Sequence, residues 1–326
     1  MHSPLSPSRR VTTDRRLWRA ASIGLTIAAL CFVGWKAAEA GIGTLLTRLS
    51  PAAWIGVGLA AAVYAAALMF VALAWWLLVK SSSSTILPFR QAFRIYSTSH
   101  LYKYLPSNML HYVGRHAALR GIGVTHTAAA VGAIGDILLL LPASMFVALL
   151  ASPAMLTEFR NDIAVLGIAA AVVLLLGALA LHWAAPLLER WPRTEALGTL
   201  LRSPRVRMAA IGAFLGYSIF FIVSGAVFAM IAGRFGPWQG GDAPLLVAIW
   251  AGSWALGFIT PGAPGGIGVR EAIITAALSA AGHGESAVLI AILMRVVTLL
   301  GDLLFASMGH LLGIGVQRPQ EAALTD

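Results

Sequence analysis

Long apolar segments alternate with short polar ones along most of the chain, and this pattern predicts membrane-spanning helices. Several apolar runs reach the length of about 18 residues that an α-helix needs to cross a bilayer. We predict six crossings, at residues 17–36, 52–79, 124–151, 163–185, 208–231 and 286–313. No stretch alternates with a period of two, so the pattern favours an all-α polytopic membrane protein over a barrel.

Two further segments mix polar with apolar residues and do not fit a simple crossing. They cover residues 86–121 and 244–281, and the second contains "PGAPGGIG" at 261–268. Lipid cannot bond free backbone N–H and C=O groups, so non-helical backbone at membrane depth must be covered by protein or line a water-filled cavity. We therefore predict two re-entrant helical hairpins, each returning to the side it enters from. Their expected tip residues are Pro106, Pro261, Gly262, Gly265, Gly266 and Gly268.

The two halves of the chain present similar residues in the same order. The matching features are the nine-residue spacings Pro106 to Arg115 and Pro261 to Arg270, and the pairs Gly135-Asp136 and Gly301-Asp302. Each half is then two transmembrane helices, a re-entrant hairpin and a third transmembrane helix. Because three crossings per half is an odd number, the second half is predicted to be inverted relative to the first, an architecture found in transporters.

This interpretation divides the chain into one membrane domain and two tails. Residues 1–16 are polar and basic, and we predict a disordered cytoplasmic tail. Residues 17–313 form a single transmembrane domain, with repeat one at about 17–151 and repeat two at about 163–313, and residues 314–326 form a second cytoplasmic tail. A cleaved signal peptide ending near Ala38 to Ala40 is the alternative interpretation of the first span.

Composition agrees with a membrane protein and excludes an ordinary soluble enzyme. Hydrophobic residues make up 59% of the chain and charged residues only 11%, against about 25% charged in soluble domains. The net charge of +10 comes from Lys and Arg beside the apolar spans, which is typical of membrane topology signals rather than of nucleic-acid binding. The single cysteine, Cys31, excludes a disulfide within the chain.

The distribution of basic residues predicts the orientation. With six crossings and the N-terminus inside, 17 Lys and Arg lie on the inside, 4 lie outside, and Arg270 and Arg295 remain at membrane depth. Because cytoplasmic loops are enriched in Lys and Arg, both termini are expected in the cytoplasm, with the protein in a bacterial inner (plasma) membrane.

Ionisable residues inside the predicted membrane region are the candidate functional residues. Such a side chain costs about 2.5–3.5 kcal/mol at the bilayer centre and usually faces a partner or a cavity. In the second half they are Arg270, Glu271, Arg295 and Asp302, and in the first half Arg115 and Asp136. Two interpretations remain open: these charges only pair with one another, or Arg270 or Arg115 meets an anionic lipid headgroup while the carboxylates hold the arginines. A planar guanidinium suits phosphate because it donates two hydrogen bonds at once.

Other chemistry has little support in the sequence. The glycine-rich stretch lacks the Gly-Lys-Ser/Thr of a P-loop and the spacing of a dinucleotide turn. No metal motif is present, and His100, His111 and His116 near the first mixed segment do not have metal-ligand spacing. We therefore predict no cofactor, no metal and no enzymatic activity.

Three stretches resemble one family. "TPGAPGGIGVREA", "YLPSNMLHYVGRHAAL" and "MRVVTLLGDLLF" are similar to the transmembrane region of lysylphosphatidylglycerol synthases, the flippase-like integral membrane proteins. The Pro-Gly-x-x-Gly-x-x-x-x-Arg-Glu signature corresponds to Pro261, Gly262, Gly265, Arg270 and Glu271. The first segment departs from the pattern, with Pro106-Ser107 where the family often has Pro-Gly.

The resemblance implies a stand-alone member that lacks the aminoacyltransferase domain. The implied function is a lipid flippase that binds and translocates an anionic phospholipid or a polyprenyl-linked sugar. The alternative is a non-catalytic membrane accessory that presents a lipid to a partner glycosyltransferase or lipid-modifying enzyme.

The charge distribution generates a test of topology. Reporter fusions placed after Asp326 and in the loop near Arg234 are expected on opposite sides of the membrane, because only the first lies in a predicted cytoplasmic segment. Two reporter enzymes, one active only in the cytoplasm and the other active only outside it, show on which side each fusion lies. Finding both fusions on the same side would contradict the inverted repeat.

Overall fold

The computed structural model describes residues 49–105, 109–152, 190, 195–260, 263–282 and 284–312. The predicted first and fourth spans, both predicted tails and the alternative signal-peptide cleavage site lie outside these ranges. So do three expected tip residues, Pro106, Pro261 and Gly262.

The described residues form helices joined by short turns, with no strand among them. In chain order the helices are α1 (Pro51–Ser82), α2 (Phe89–His100), α3 (Leu110–Arg120), α4 (His126–Leu150), α5 (Glu195–Arg202), α6 (Pro204–Phe235), α7 (Ala243–Ile259), α8 (Val269–Ala280) and α9 (Gly284–Leu311). Short 3₁₀ turns cover Leu101–Tyr104, Gly240–Asp242 and Pro264–Gly266.

Five helical segments of this described part are long and apolar enough to cross a membrane. They are Pro51–Ser82, His126–Leu150, Pro204–Phe235, Gly240–Ile259 and Ser286–Leu311. Many of their large apolar side chains face outward, including Ile55 and Leu59 on α1 and Met208 on α6, each more than 60% exposed. Outward apolar side chains on long apolar helices are what a lipid environment favours, so the chain is an all-α membrane protein.

Local sequence explains where these helices begin. The Ser50 hydroxyl accepts a hydrogen bond from the Ala53 amide at the start of α1, and the Thr125 hydroxyl accepts one from the Ala128 amide at the start of α4. Such caps satisfy amides that have no partner within the helix. Proline stands in the first turn of α1 and α6, where its missing N–H costs nothing.

The order of elements is the same on both sides of α5. Each side has a 32-residue helix, a shorter helix, a break with a 3₁₀ turn, a second short helix and a long final helix. The first break lies between α2 and α3, and the second break lies between α7 and α8. The two 32-residue helices, α1 and α6, pack against each other at the centre of the bundle. Helices α2, α4, α7 and α9 pack against this pair, whereas α3 packs on α2 and α4, and α8 packs on α7 and α9.

The predicted spans at 52–79, 124–151, 208–231 and 286–313 correspond to α1, α4, α6 and α9. The second mixed segment differs from the prediction in one respect, because its first arm, Gly240–Ile259, is itself long and apolar enough to cross. We predicted that this arm belongs to a re-entrant hairpin because "PGAPGGIG" follows it closely and ends the apolar run.

The second break depends on glycines in a left-handed backbone conformation. Gly265, Gly266 and Gly268 have φ values of 60°, 70° and 85°, which side-chain-bearing L-residues adopt only at a cost. A Cβ on Gly265 would also lie 2.8 Å from the Tyr104 ring, which belongs to the first break. The two breaks therefore meet where Tyr104 contacts Gly265.

This contact generates a prediction for Gly265→Ala. The variant should lose about 1–2 kcal/mol from the positive φ and a further ~1–3 kcal/mol from collision with Tyr104. Gly123→Ala is the matched control, because Gly123 also has a positive φ, 86°, in the turn after α3 but open space around its Cβ position. Thermal unfolding of both variants in detergent measures the difference. Equal destabilisation would mean that the contact with Tyr104 does not constrain this turn.

Candidate functional site

A pocket lies beside the point where the two breaks meet. Its empty volume is about 580 Å³, counting its open mouth. Apolar side chains of α1, α6 and α7 form part of its wall. The polar side chains that line it are Tyr64, Tyr96, His100, Lys103, His111, Tyr112, Arg115, Asp136 and Arg270.

Arg115 and Asp136 form a buried ion pair in the pocket wall. The Arg115 Nη1 donates to Asp136 Oδ2 at 2.7 Å, and the guanidinium carbon lies 3.5 Å from the centre of the Tyr96 ring. Arg115 Nε also donates to the Ser99 hydroxyl at 3.2 Å, and the Tyr217 hydroxyl donates to Asp136 Oδ1 at 2.6 Å. The sequence predicted this Arg115–Asp136 pair. Its bonds fix α3 against α4, α2 and α6.

Asp302 is fully buried on α9 and holds the first break in place. Its carboxylate lies 2.8 Å from Lys103 Nζ and 3.0 Å from His100 Nε2, and it accepts a hydrogen bond from the Tyr104 hydroxyl. One interpretation of the sequence paired Asp302 with the other membrane-depth charges, but among the described residues Asp302 forms no ion pair with Arg270 or Arg295. The partners of Asp302 come instead from the first break, about 200 residues earlier in the chain.

Glu271 and Arg295 form the ion pair of the second break. The Glu271 carboxylate accepts from Arg295, and its other oxygen accepts from the Gly268 amide at 2.6 Å. Arg295 also donates to the Gly266 carbonyl at 3.3 Å. Both side chains line a smaller cavity, of about 200 Å³ when its open mouth is counted, rather than the main pocket. They therefore hold the turn before α8 in shape.

Arg270 lines both cavities and has no carboxylate within ion-pair distance among the residues that the structure describes. Its guanidinium carbon lies 5.3 Å from the centre of the Trp254 ring. Glycines flank its side chain: a Cβ on Gly257 would lie 2.7 Å from Arg270 Cγ, and one on Gly266 would lie 2.6 Å from Arg270 Nε. Because Gly257 and Gly266 have no side chains, a slot remains between them, and the Arg270 side chain occupies it.

Three nitrogens of the pocket lining have no hydrogen-bond partner. They are the buried atoms His100 Nδ1, His111 Nδ1 and Arg270 Nε. Buried polar groups in folded proteins almost always have partners. Arg270 Nε is a donor, and an imidazole Nδ1 is a donor whenever it carries a proton. A group with several acceptor oxygens in the pocket would satisfy them together.

The structure divides the six predicted headgroup-binding residues between three places. Arg270, Arg115 and Asp136 line the main pocket, Glu271 and Arg295 line the smaller cavity with Arg270, and Asp302 lies behind Lys103 and His100. The expected tip residues Gly265 and Gly266 also line the main pocket, whereas Gly268 is exposed beside it.

Sequence reasoning missed several residues of this site. Lys103 was counted only as a loop cation in the orientation argument, yet it is paired with the buried carboxylate of Asp302. The position of Lys103 within the apolar stretch "HLYKYLP" was a signal that its charge needs a partner. Gly257 and Trp254, which position Arg270, carry no sequence signal because a glycine or tryptophan within an apolar helix is common.

No family model matches this chain, and comparison with curated proteins finds no significantly similar sequence.

The different surroundings of Arg115 and Arg270 predict different effects on stability. Arg115→Gln leaves Asp136 without its charge partner and is expected to lose about 3–5 kcal/mol of unfolding free energy. Arg270→Gln should lose much less, because no described carboxylate depends on it. Unfolding in detergent, followed by tryptophan fluorescence, compares the two variants. If Arg270→Gln is destabilised as much as Arg115→Gln, Arg270 belongs to a structural ion pair.

Proposed function

We propose that this protein binds the anionic headgroup of a membrane lipid in the main pocket and moves that lipid between the two leaflets. Arg270 is the primary headgroup contact, and Arg115 is a second cation in the same wall. The observation that carries the proposal is the set of buried nitrogens without hydrogen-bond partners, His100 Nδ1, His111 Nδ1 and Arg270 Nε, around one pocket.

The electrostatics of the pocket favour an anion. Asp136 offsets Arg115, and Asp302 offsets Lys103, whereas the described carboxylate that neighbours Arg270, that of Glu271, is already paired with Arg295. A buried charge without a counter-ion is costly, so binding an anion stabilises this state of the pocket. A phosphate oxygen pair also matches the two parallel N–H groups of a guanidinium.

The position of the pocket favours a lipid over a soluble metabolite. It lies within a bundle of membrane-crossing helices whose outer faces are apolar, so acyl chains can remain in the bilayer while the headgroup enters. An anionic phospholipid or a polyprenyl-linked sugar has this combination of a phosphate and long apolar chains.

Two interrupted segments that meet at the pocket fit a transporter with inverted repeats and re-entrant hairpins. The repeated order of helices around α5 and the contact of Tyr104 with Gly265 support this architecture. We further propose that the chain is related to the lysylphosphatidylglycerol synthase membrane region and lies in a bacterial inner membrane with both termini in the cytoplasm. Proteins of this architecture move a substrate by conformational change and need no covalent step.

Variants of Arg270 test headgroup binding. Arg270→Gln should weaken the binding of phosphatidylglycerol by roughly 10–100-fold, since hydrogen bonds to charged groups contribute about 1.5–3 kcal/mol. Arg270→Lys retains the charge but loses the paired donors, so an intermediate loss is expected. Binding is measured with the purified protein in detergent, and lipid movement with fluorescent phosphatidylglycerol in liposomes, with phosphatidylcholine as the neutral comparison.

Arg234→Gln is the matched control, because Arg234 is exposed at the end of α6. It should bind and move lipid like the unmodified protein. Full binding and movement by Arg270→Gln would contradict the proposal. If the unmodified protein binds the anionic lipid but does not move it, the accessory function is correct: the protein presents a lipid to a glycosyltransferase or lipid-modifying enzyme.

A further inference from the structure

Three cationic side chains of the described residues line the pocket, and two of them have a carboxylate that offsets their charge. Arg115 is paired with Asp136 at 2.7 Å, and Lys103 with Asp302 at 2.8 Å. Each pair is neutral as a whole, so neither adds net charge to the pocket. The third cation of the lining is Arg270.

Arg270 lacks a counter-ion because the neighbouring carboxylate is already engaged. Glu271 is ion-paired with Arg295, and its other oxygen accepts a hydrogen bond from the Gly268 amide at 2.6 Å. Arg270 itself is only 9% exposed, and its guanidinium carbon lies 5.3 Å from the centre of the Trp254 ring. The described residues therefore leave one positive charge beside the pocket.

The two histidines of the lining do not add to this charge. Lys103 Nζ lies 2.8 Å from His100 Nε2, so a protonated ring would place a second positive charge against the ammonium group. Asp302 is the shared partner of both groups, and its one negative charge cannot offset two cations. The cations near His111 are Arg115 and Lys103, and no described carboxylate contacts it. Both rings are buried, which also favours the neutral imidazole.

Most of the hydrogen-bonding capacity of Arg115 is already used within the protein. Its Nε and Nη1 donate to the Ser99 hydroxyl and to Asp136, and its guanidinium carbon lies 3.5 Å from the centre of the Tyr96 ring. Arg270 is therefore the main charged donor left for a ligand. One guanidinium binds two oxygens through its two parallel N–H groups, and a phosphodiester has two unesterified oxygens.

We infer that the pocket selects a singly charged anion, and that its lipid ligand is a phosphodiester rather than a phosphomonoester. The inference rests on the proposed function of the same site and specifies the class of its headgroup. A phosphodiester carries one negative charge, so with Arg270 it makes the occupied pocket neutral. A phosphomonoester is mostly a dianion at neutral pH, since its second pKa is about 6. It would leave one unbalanced negative charge in a buried site that the Asp136 carboxylate also lines, and such like-charge contacts are costly.

Two matched pairs of probes, each differing by one charge, test this selectivity. They are titrated into the full-length protein in detergent by calorimetry at about pH 7.5, where a phosphomonoester is mostly a dianion. The lipid pair is short-chain phosphatidylmethanol, a phosphodiester, and short-chain phosphatidic acid, the corresponding phosphomonoester. The soluble pair is methyl sulfate, a monoanion, and sulfate, a dianion. Binding of the lipid without methyl sulfate supports a lipid headgroup site, whereas equally tight binding of methyl sulfate would contradict the lipid ligand of the proposed function.

The unmodified protein should bind phosphatidylmethanol at least about tenfold more tightly than phosphatidic acid, because the dianion brings an unmatched charge. Asp136→Asn removes one negative charge from the pocket wall, so it should reduce or reverse this preference. The two lipids are hydrated identically in both experiments. A change in preference between the two proteins therefore measures charge matching rather than the stronger hydration of a dianion.

Glu195→Gln is the matched control, because it removes one negative charge at an exposed position of α5 that does not line the pocket. It should retain the preference of the unmodified protein. Two outcomes would overturn the inference while leaving lipid binding intact: equal or tighter binding of phosphatidic acid by the unmodified protein, and an unchanged preference in folded Asp136→Asn. If Asp136→Asn does not fold, the comparison of the two lipids in the unmodified protein decides the question. Absence of binding to all four probes would overturn the proposed function as well.

Discussion

Charges buried in an apolar helix bundle must be matched, and this requirement determines how the interrupted segments are held. An unpaired ionised group at membrane depth costs several kcal/mol, so each carboxylate of the described core lies against a cation. The Glu271–Arg295 pair fixes the second break to α9, and Asp302 fixes the first break to the same helix through Lys103. At the second break, Glu271 and Arg295 also bond the backbone of Gly268 and Gly266, in place of helix bonds that the break interrupts.

Arg270 is the exception to this pairing among the described residues. Its side chain occupies a slot made by Gly257 and Gly266, beside Trp254, and no described carboxylate accompanies it. The slot fixes the position of the guanidinium without neutralising its charge. A cation held in this way in a buried pocket is suited to a transient anionic partner, because the bound anion provides the negative charge that no described residue places beside it.

The sequence predicted the long helices well, because hydropathy over about 18 residues depends on composition alone. It also predicted the Arg115–Asp136 pair, whose members lie on consecutive helices only 21 positions apart. It could not predict the partners of Asp302, because that contact joins α9 to residues about 200 positions earlier. Nor could it identify Gly257, since its importance depends on which side chain packs against it. The glycines of the second break were recognisable because several occur together beside prolines.

The most direct measurement is an experimental density map of the full-length protein in a lipid bilayer that contains anionic lipid. The account predicts a tetrahedral density in the main pocket, within hydrogen-bond distance of Arg270 and of Nδ1 of His100, with acyl-chain density leading toward the bilayer. A carboxylate of the chain itself paired with Arg270, and a pocket that contains only water, would contradict it.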